Sequence, residues 1–69
     1  MKIRIKEAEL NENQTAILAV NENNEIIARN WYMSGHGASH TNQGEARTEL
    51  IDDLKKQFPS AEIDARMCV

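Results

Sequence analysis

TNQGEARTELIDDLKKQF, residues 41–58, carries an apolar stripe at helical spacing. Ala46, Leu50, Ile51, Leu54 and Phe58 recur on one side of a helix, the pattern of an element that buries a single face. Asn42 with Glu45 three residues later makes an Asn-x-x-Glu variant of the capping box, with Thr41 as the alternative cap, so the helix begins at about Gln43. Lys55 and Lys56 fall in the last turns, where positive charge suits the helix dipole. Phe58 precedes Pro59, and the residue before a proline avoids helical backbone, so the helix ends near Gln57.

Upstream of this stretch the period is two. Ile3 and Ile5 alternate with Lys2, Arg4 and Lys6, as in a half-buried strand. The apolar phase then changes at Glu7, because Ala8 and Leu10 sit on the other parity, and a bulge or a strand end is expected there. NENQ, residues 11–14, is a polar turn. TAILAV, residues 15–20, is apolar without alternation, which places it in the middle of a sheet. NENNE, residues 21–25, is a second turn, whose asparagines tolerate the left-handed backbone of a tight hairpin. IIARNWYM, residues 26–33, is rich in β-branched and aromatic residues and reads as a third strand. Beyond the helix, Ile63, Ala65, Met67 and Val69 alternate with Glu62, Asp64, Arg66 and Cys68, a fourth strand with one buried face.

The element order is β-β-β-α-β, an α+β class in which residues 1–69 form a single small domain. Three strands make an antiparallel meander, and one helix on one face of the sheet returns the chain to a fourth strand. A crossover of this kind lets strand four lie parallel to a neighbour, and the sheet order 3-2-1-4 is preferred to 1-2-3-4. One sheet face is then left to water or to a partner.

Composition limits the function classes. A chain of 69 residues buries only about 60% of the surface it exposes when unfolded, so its core is thin. Its 41% hydrophobic and 28% charged residues are those of a globular domain. One cysteine, Cys68, excludes an internal disulfide and the multi-cysteine zinc frameworks, and a reducing compartment is the simplest setting. No apolar run approaches the roughly 20 residues of a membrane span, and MKIRIKEAEL does not resemble a secretory signal. The expected location is the cytoplasm. A net charge of −3 gives no general pull toward nucleic acid or anionic lipid, and a basic protein partner is the more natural one.

MSGHGASHTNQGEA, residues 33–46, holds all three glycines and both histidines. His36 and His40 are four apart, the spacing of two metal ligands on a helix, but Gly35 and Gly37 flank the first of them and argue for a loop. A metal would need further ligands from elsewhere, such as Cys68. No Lys or Arg lies between Met33 and Arg47 to support an anion at the helix start. Ser39 beside His36 or His40 lacks the oriented base of a nucleophilic site. The stretch reads as a mobile polar joint into a helix, with no catalytic residue, metal or cofactor implied.

Two surfaces carry more. If Ile3 and Ile5 face the helix, Lys2, Arg4 and Lys6 face away from it, joined on strand three by Arg29 with Trp31 or by Asn30 with Tyr32. Basic residues interleaved with an aromatic on an open sheet suit single-stranded nucleic acid, with Lys2, Arg4, Lys6 and Trp31 as the contacts. In order 3-2-1-4, however, Glu62 and Asp64 stand against the same cations. A protein interface through Arg29, Trp31 and Tyr32 accounts for more, because the helix stripe covers only one of two apolar faces. The second surface is the helix exterior, where Glu49, Asp52 and Asp53 offer an acidic face to a basic partner.

At TNQGEARTELIDDL, residues 41–54, the chain resembles the start of the helix in ribonuclease H-like proteins, in which a Thr-Asn pair precedes a helix bearing a catalytic Glu. The strand order is similar to the first half of that fold, and close to the truncated form found in HicB-type antitoxins. Glu45 stands four residues after Thr41, one earlier than the family's catalytic position. Lys6 and Glu7 occupy the place of a metal-binding aspartate. The resemblance therefore implies a binding protein that captures a small basic toxin, without catalysis. The function expected is a non-enzymatic regulator or inhibitor, antitoxin-like or phage-inhibitor-like, that binds a basic toxin or a nucleic-acid enzyme and forms a homodimer. A nucleic-acid-binding module and a metal-dependent function at His36 and His40 are the alternatives.

Overall fold

Asparagines make both hairpins. Asn11 Oδ1 accepts the backbone N–H of Asn13 at 2.8 Å, which reverses the chain between β1 (Lys2–Asn11) and β2 (Gln14–Val20). Asn21 Oδ1 accepts the N–H groups of Asn23 and Glu25 at 2.9 and 3.0 Å, and Asn24 takes the expected left-handed conformation at φ 62°. An asparagine side chain that bonds its own backbone two residues on replaces a backbone turn bond, which is why this residue recurs at both corners. The second corner leads into β3 (Ile26–Met33).

A computed structural model describes residues 1–64. After β3 the chain enters α1 (Asn42–Gln57) and then β4 (Glu62–Asp64). The four strands form one sheet in the order β3-β2-β1-β4. The β1–β2 and β2–β3 pairs are antiparallel, and β4 lies parallel to β1, with Ile63 beside Ile3. The α+β class is that expected from the hydrophobic periods, and the 3-2-1-4 order that expected from the crossover. The remainder of the expected fourth strand, Ala65, Met67 and Val69 included, lies outside the described residues. Among the described residues no helix is long and apolar enough to cross a membrane.

The core lies between α1 and one face of the sheet. Ile3, Ile5, Ile17, Ala19, Ala46, Leu50 and Leu54 form its buried cluster, with Phe58, Ala28, Tyr32 and Ile63 packed at its margin. Ile5 pairs with Ala19, and Ala19 with Ala28. Directly paired residues share a face, so the alternation of side chains assigns the rest. Glu7, Thr15, Asn30 and Tyr32 stand on the helix side. Lys2, Arg4, Lys6, Ala8, Ala16, Leu18, Val20, Arg29, Trp31 and Met33 stand on the other, which no element covers.

Two local expectations are corrected. β1 does not end or bulge at Glu7: pairing is continuous through Glu7 and Ala8, and the irregularity falls between Glu9 and Asn11. The change of apolar phase has another cause, because Ala8 and Leu10 are not core residues and sit on the uncovered face. The capping box also fails to form. Thr41 is the N-cap in position but makes no side-chain cap bond, and Asn42, already inside the helix, donates its amide to the Met33 carbonyl at 3.0 Å. The end of β3 competes for that side chain and wins it. At the other end Phe58 N–H closes the helix on the Leu54 carbonyl at 2.7 Å, one residue before the proline.

Candidate functional site

Three rows of paired residues cross the uncovered face. Trp31, Ala16 and Ala8 form one, Arg29, Leu18 and Lys6 the next, and Ile26, Val20 and Arg4 the third. Leu10, Ala16, Leu18, Arg29 and Trp31 line a groove along the first two rows. Trp31 is 53% exposed, and Leu10, Ile26 and Met33 are 57%, 59% and 47% exposed. Four large apolar side chains therefore meet water around one sheet face, whereas isolated apolar residues scattered over a surface would need no account.

The cations differ in what holds them. Arg4 Nη2 donates to Asn24 Oδ1 at 2.6 Å, and in the parallel ladder Arg4 pairs with Asp64 and Lys2 with Glu62. That half of the face is close to neutral. Arg29 and Lys6 flank Leu18 from opposite sides, and neither side chain makes a hydrogen bond or ion pair with any described residue. At the usual strand spacing their backbones are about 10 Å apart. Exposed cations beside an apolar floor form a mixed surface, and the apolar part is the larger on the β2–β3 side.

Arg29 and Trp31 thus share this face, but Tyr32 does not join them. Its hydroxyl donates to Glu7 Oε1 at 2.8 Å, and Gln43 Nε2 donates to the same oxygen at 2.9 Å. The three residues tie β1, β3 and the start of α1 together. Burial raises the Tyr32 pKa, and the hydrogen bond and charge of Glu7 raise it further. Tyr32 is a structural clamp because strand alternation sends it to the opposite side from Trp31.

The edge of β3 is already engaged. Trp31 N–H donates to Asn30 Oδ1 at 2.9 Å, Asn30 Nδ2 donates to the Ala46 carbonyl at 3.0 Å, and Asn42 holds the Met33 carbonyl. In an antiparallel edge strand alternate residues turn their N–H and C=O away from the sheet, and these are the groups that would recruit another strand. Two asparagines occupy part of that row.

On the helix exterior Glu49, Asp52 and Asp53 are exposed, and Glu45, Glu49 and Asp52 border a shallow depression with Gly44 and Thr48. The loop before the helix is a run of turns. Gly35 and Gly37 have φ of 98° and 87°, and a side chain at Gly35 would strike the Glu12 carbonyl. Ala38 N–H bonds the Gly35 carbonyl, while Ser39 Oγ bonds Thr41 Oγ1 at 2.9 Å and accepts the Thr41 N–H. Ser39 is thereby part of the turn before the helix. His36 and His40 are exposed, and among the described residues no three His, Cys, Asp or Glu side chains are grouped to hold a metal ion.

Leu10, Leu18, Ile26 and Met33 were not among the residues singled out from sequence. The signal for Leu10 lay in the phase change at Glu7, since an apolar residue on the wrong parity of a strand points to a second apolar face, and that for Leu18 in the unbroken apolar run of residues 15–20. No protein-family model, curated protein or solved structure matches this chain.

Proposed function

We propose that this chain is a small non-enzymatic regulator or inhibitor that binds a protein partner through the uncovered sheet face, with Trp31 as the anchor. The observation that carries this reading is the placement of Trp31, half exposed, in a groove floored by Ala16 and Leu18. A large ring beside an apolar floor, ringed by polar groups, is the arrangement of interface hot spots. An antitoxin-like role, implied by the likeness at residues 41–54, is one form of it, in which the acidic helix exterior meets the basic part of the toxin, and a homodimer through the sheet face is another.

Binding to nucleic acid through Lys2, Arg4, Lys6 and Trp31 has less support. Sheet platforms for single strands stack two or three bases on as many rings, and Tyr32 lies on the helix side, bonded to Glu7. Glu62 and Asp64 also lie beside Lys2 and Arg4. The acidic helix exterior supports a second contact with a basic partner.

The test is affinity capture from lysate of the source cell, with and without nuclease treatment, using three baits: the parent chain, Trp31→Ala and Glu49→Lys. A protein held by the parent and by Glu49→Lys but released by Trp31→Ala supports docking through the sheet. Retention by Trp31→Ala with loss on Glu49→Lys moves the interface to the helix. Captured material that disappears with nuclease treatment rejects the reading.

A further inference from the structure

The two cations beside the groove specify what it takes. Arg29 and Lys6 stand on either side of Leu18, both exposed and both with side chains that make no hydrogen bond or ion pair among the described residues. Around them the groove is lined by Leu10, Ala16, Leu18 and Trp31. The other cations of the face are differently placed: Arg4 is held by Asn24 and Lys2 pairs in the ladder with Glu62. The apolar half of the face is therefore also the half whose cations find no side-chain partner among the described residues, although the chain as a whole carries −3.

From this charge pattern, and resting on the docking reading above, we infer that the groove binds an acidic polypeptide segment in which a large apolar side chain is flanked by carboxylates. The apolar side chain lies on Ala16 and Leu18 against Trp31, and the carboxylates face Arg29 and Lys6. A basic segment would set like charges about these cations, which costs binding and suppresses the wrong partner. A strand of phosphates would satisfy the cations but leave the aliphatic floor in water with a single ring to stack on. The site thus prefers carboxylate with hydrocarbon over phosphate with base. This gives the chain two opposed surfaces, a positive apolar groove on the sheet and an acidic helix exterior.

Trp31 is the only tryptophan, so its emission reports on the groove directly. The probes are a synthetic peptide with Leu-Phe-Leu between paired glutamates, its twin with lysines for the glutamates, and an oligothymidylate. The expected result is a blue shift and saturable binding with the glutamate peptide, at least tenfold weaker binding of the lysine twin, and a loss of roughly five- to tenfold on Arg29→Glu. The Arg29→Glu affinity is compared with that of Lys55→Glu, at an exposed position on the helix, to separate the groove from general charge. Equal binding of both peptides overturns the inference about charge and leaves protein docking intact. Binding of the oligothymidylate alone overturns both. No response to any probe, with the capture experiment still positive, overturns the acidic segment as the occupant.

Discussion

Leu54→Ala measures how one-sided this core is. Leu54 is fully buried, at 0% exposure, in the cluster between α1 and the sheet. Removing a leucine side chain from such a site costs about 3 kcal/mol, as lost transfer energy plus a residual cavity. A chain of this length has a total stability of roughly 3–10 kcal/mol. The substitution therefore removes between a third and all of it. For a domain near this size the melting midpoint falls about 4–8 °C for each kcal/mol, so the drop is about 12–24 °C. Leu18→Ala is the matched control. It deletes the same atoms from the half-buried position between Lys6 and Arg29 on the uncovered face, where the cost is about 1 kcal/mol or less because much of the area stays in water. Thermal unfolding followed by far-ultraviolet circular dichroism measures both. Equal losses for the two variants would refute a core confined to the helix side, and with it the idea that the other face is spare for binding.

Asn30→Ala with Asn42→Ala frees the Trp31 N–H and the Met33 carbonyl at the β3 edge; light scattering is expected to show a larger mass than that of the parent at the same concentration, since an unblocked edge pairs with another. Gly35→Ala is expected to cost more than 1 kcal/mol in urea unfolding, because its φ is 98° and the new methyl group meets the Glu12 carbonyl. Gly44→Ala has open space around it in the first turn of α1 and is expected to stabilise by about 0.5–1 kcal/mol. Tyr32, the sole tyrosine, titrates above the ordinary value of about 10, because of burial first and Glu7 second. The unfolded chain loses the phenolic proton earlier than the folded one, so the stabilising contribution is whole below about pH 10 and is lost as pH rises through the folded value. Ultraviolet titration of tyrosinate is expected to show the raised midpoint, and Glu7→Gln to lower it.

The element order and the single buried helix stripe were legible because they rest on spacing, and the sheet order because the crossover rule lets β4 lie parallel to β1. The isoleucines at 3 and 5 and the leucines at 50 and 54 each repeat at the period of their element, and burial follows the period. Turn chemistry was equally legible, since Asn11, Asn21 and Asn24 act through their own backbone. The capping box was not, because its residues fit the pattern while the Asn42 side chain answers to Met33, nine residues away in sequence and adjacent only in the fold. Trp31 and Tyr32 were indistinguishable by type. Pairing of Ala16 with Trp31 and of Thr15 with Tyr32 separates them, and that register depends on where the hairpin bulge falls, between Ala19 and Val20. The apolar face away from the helix was half visible. Its mark in β1, the shift of parity at Glu7, looked like a defect in the strand when it was a change in which side of the strand is apolar.

The most direct measurement is acrylamide quenching of Trp31 fluorescence in the free chain and in its complex with the captured partner, using a tryptophan-free fragment of that partner. Docking through the sheet predicts efficient quenching in the free chain, where the ring is 53% exposed, and strong protection in the complex. Quenching that is unchanged on binding would place the interface elsewhere and contradict the role given to this face.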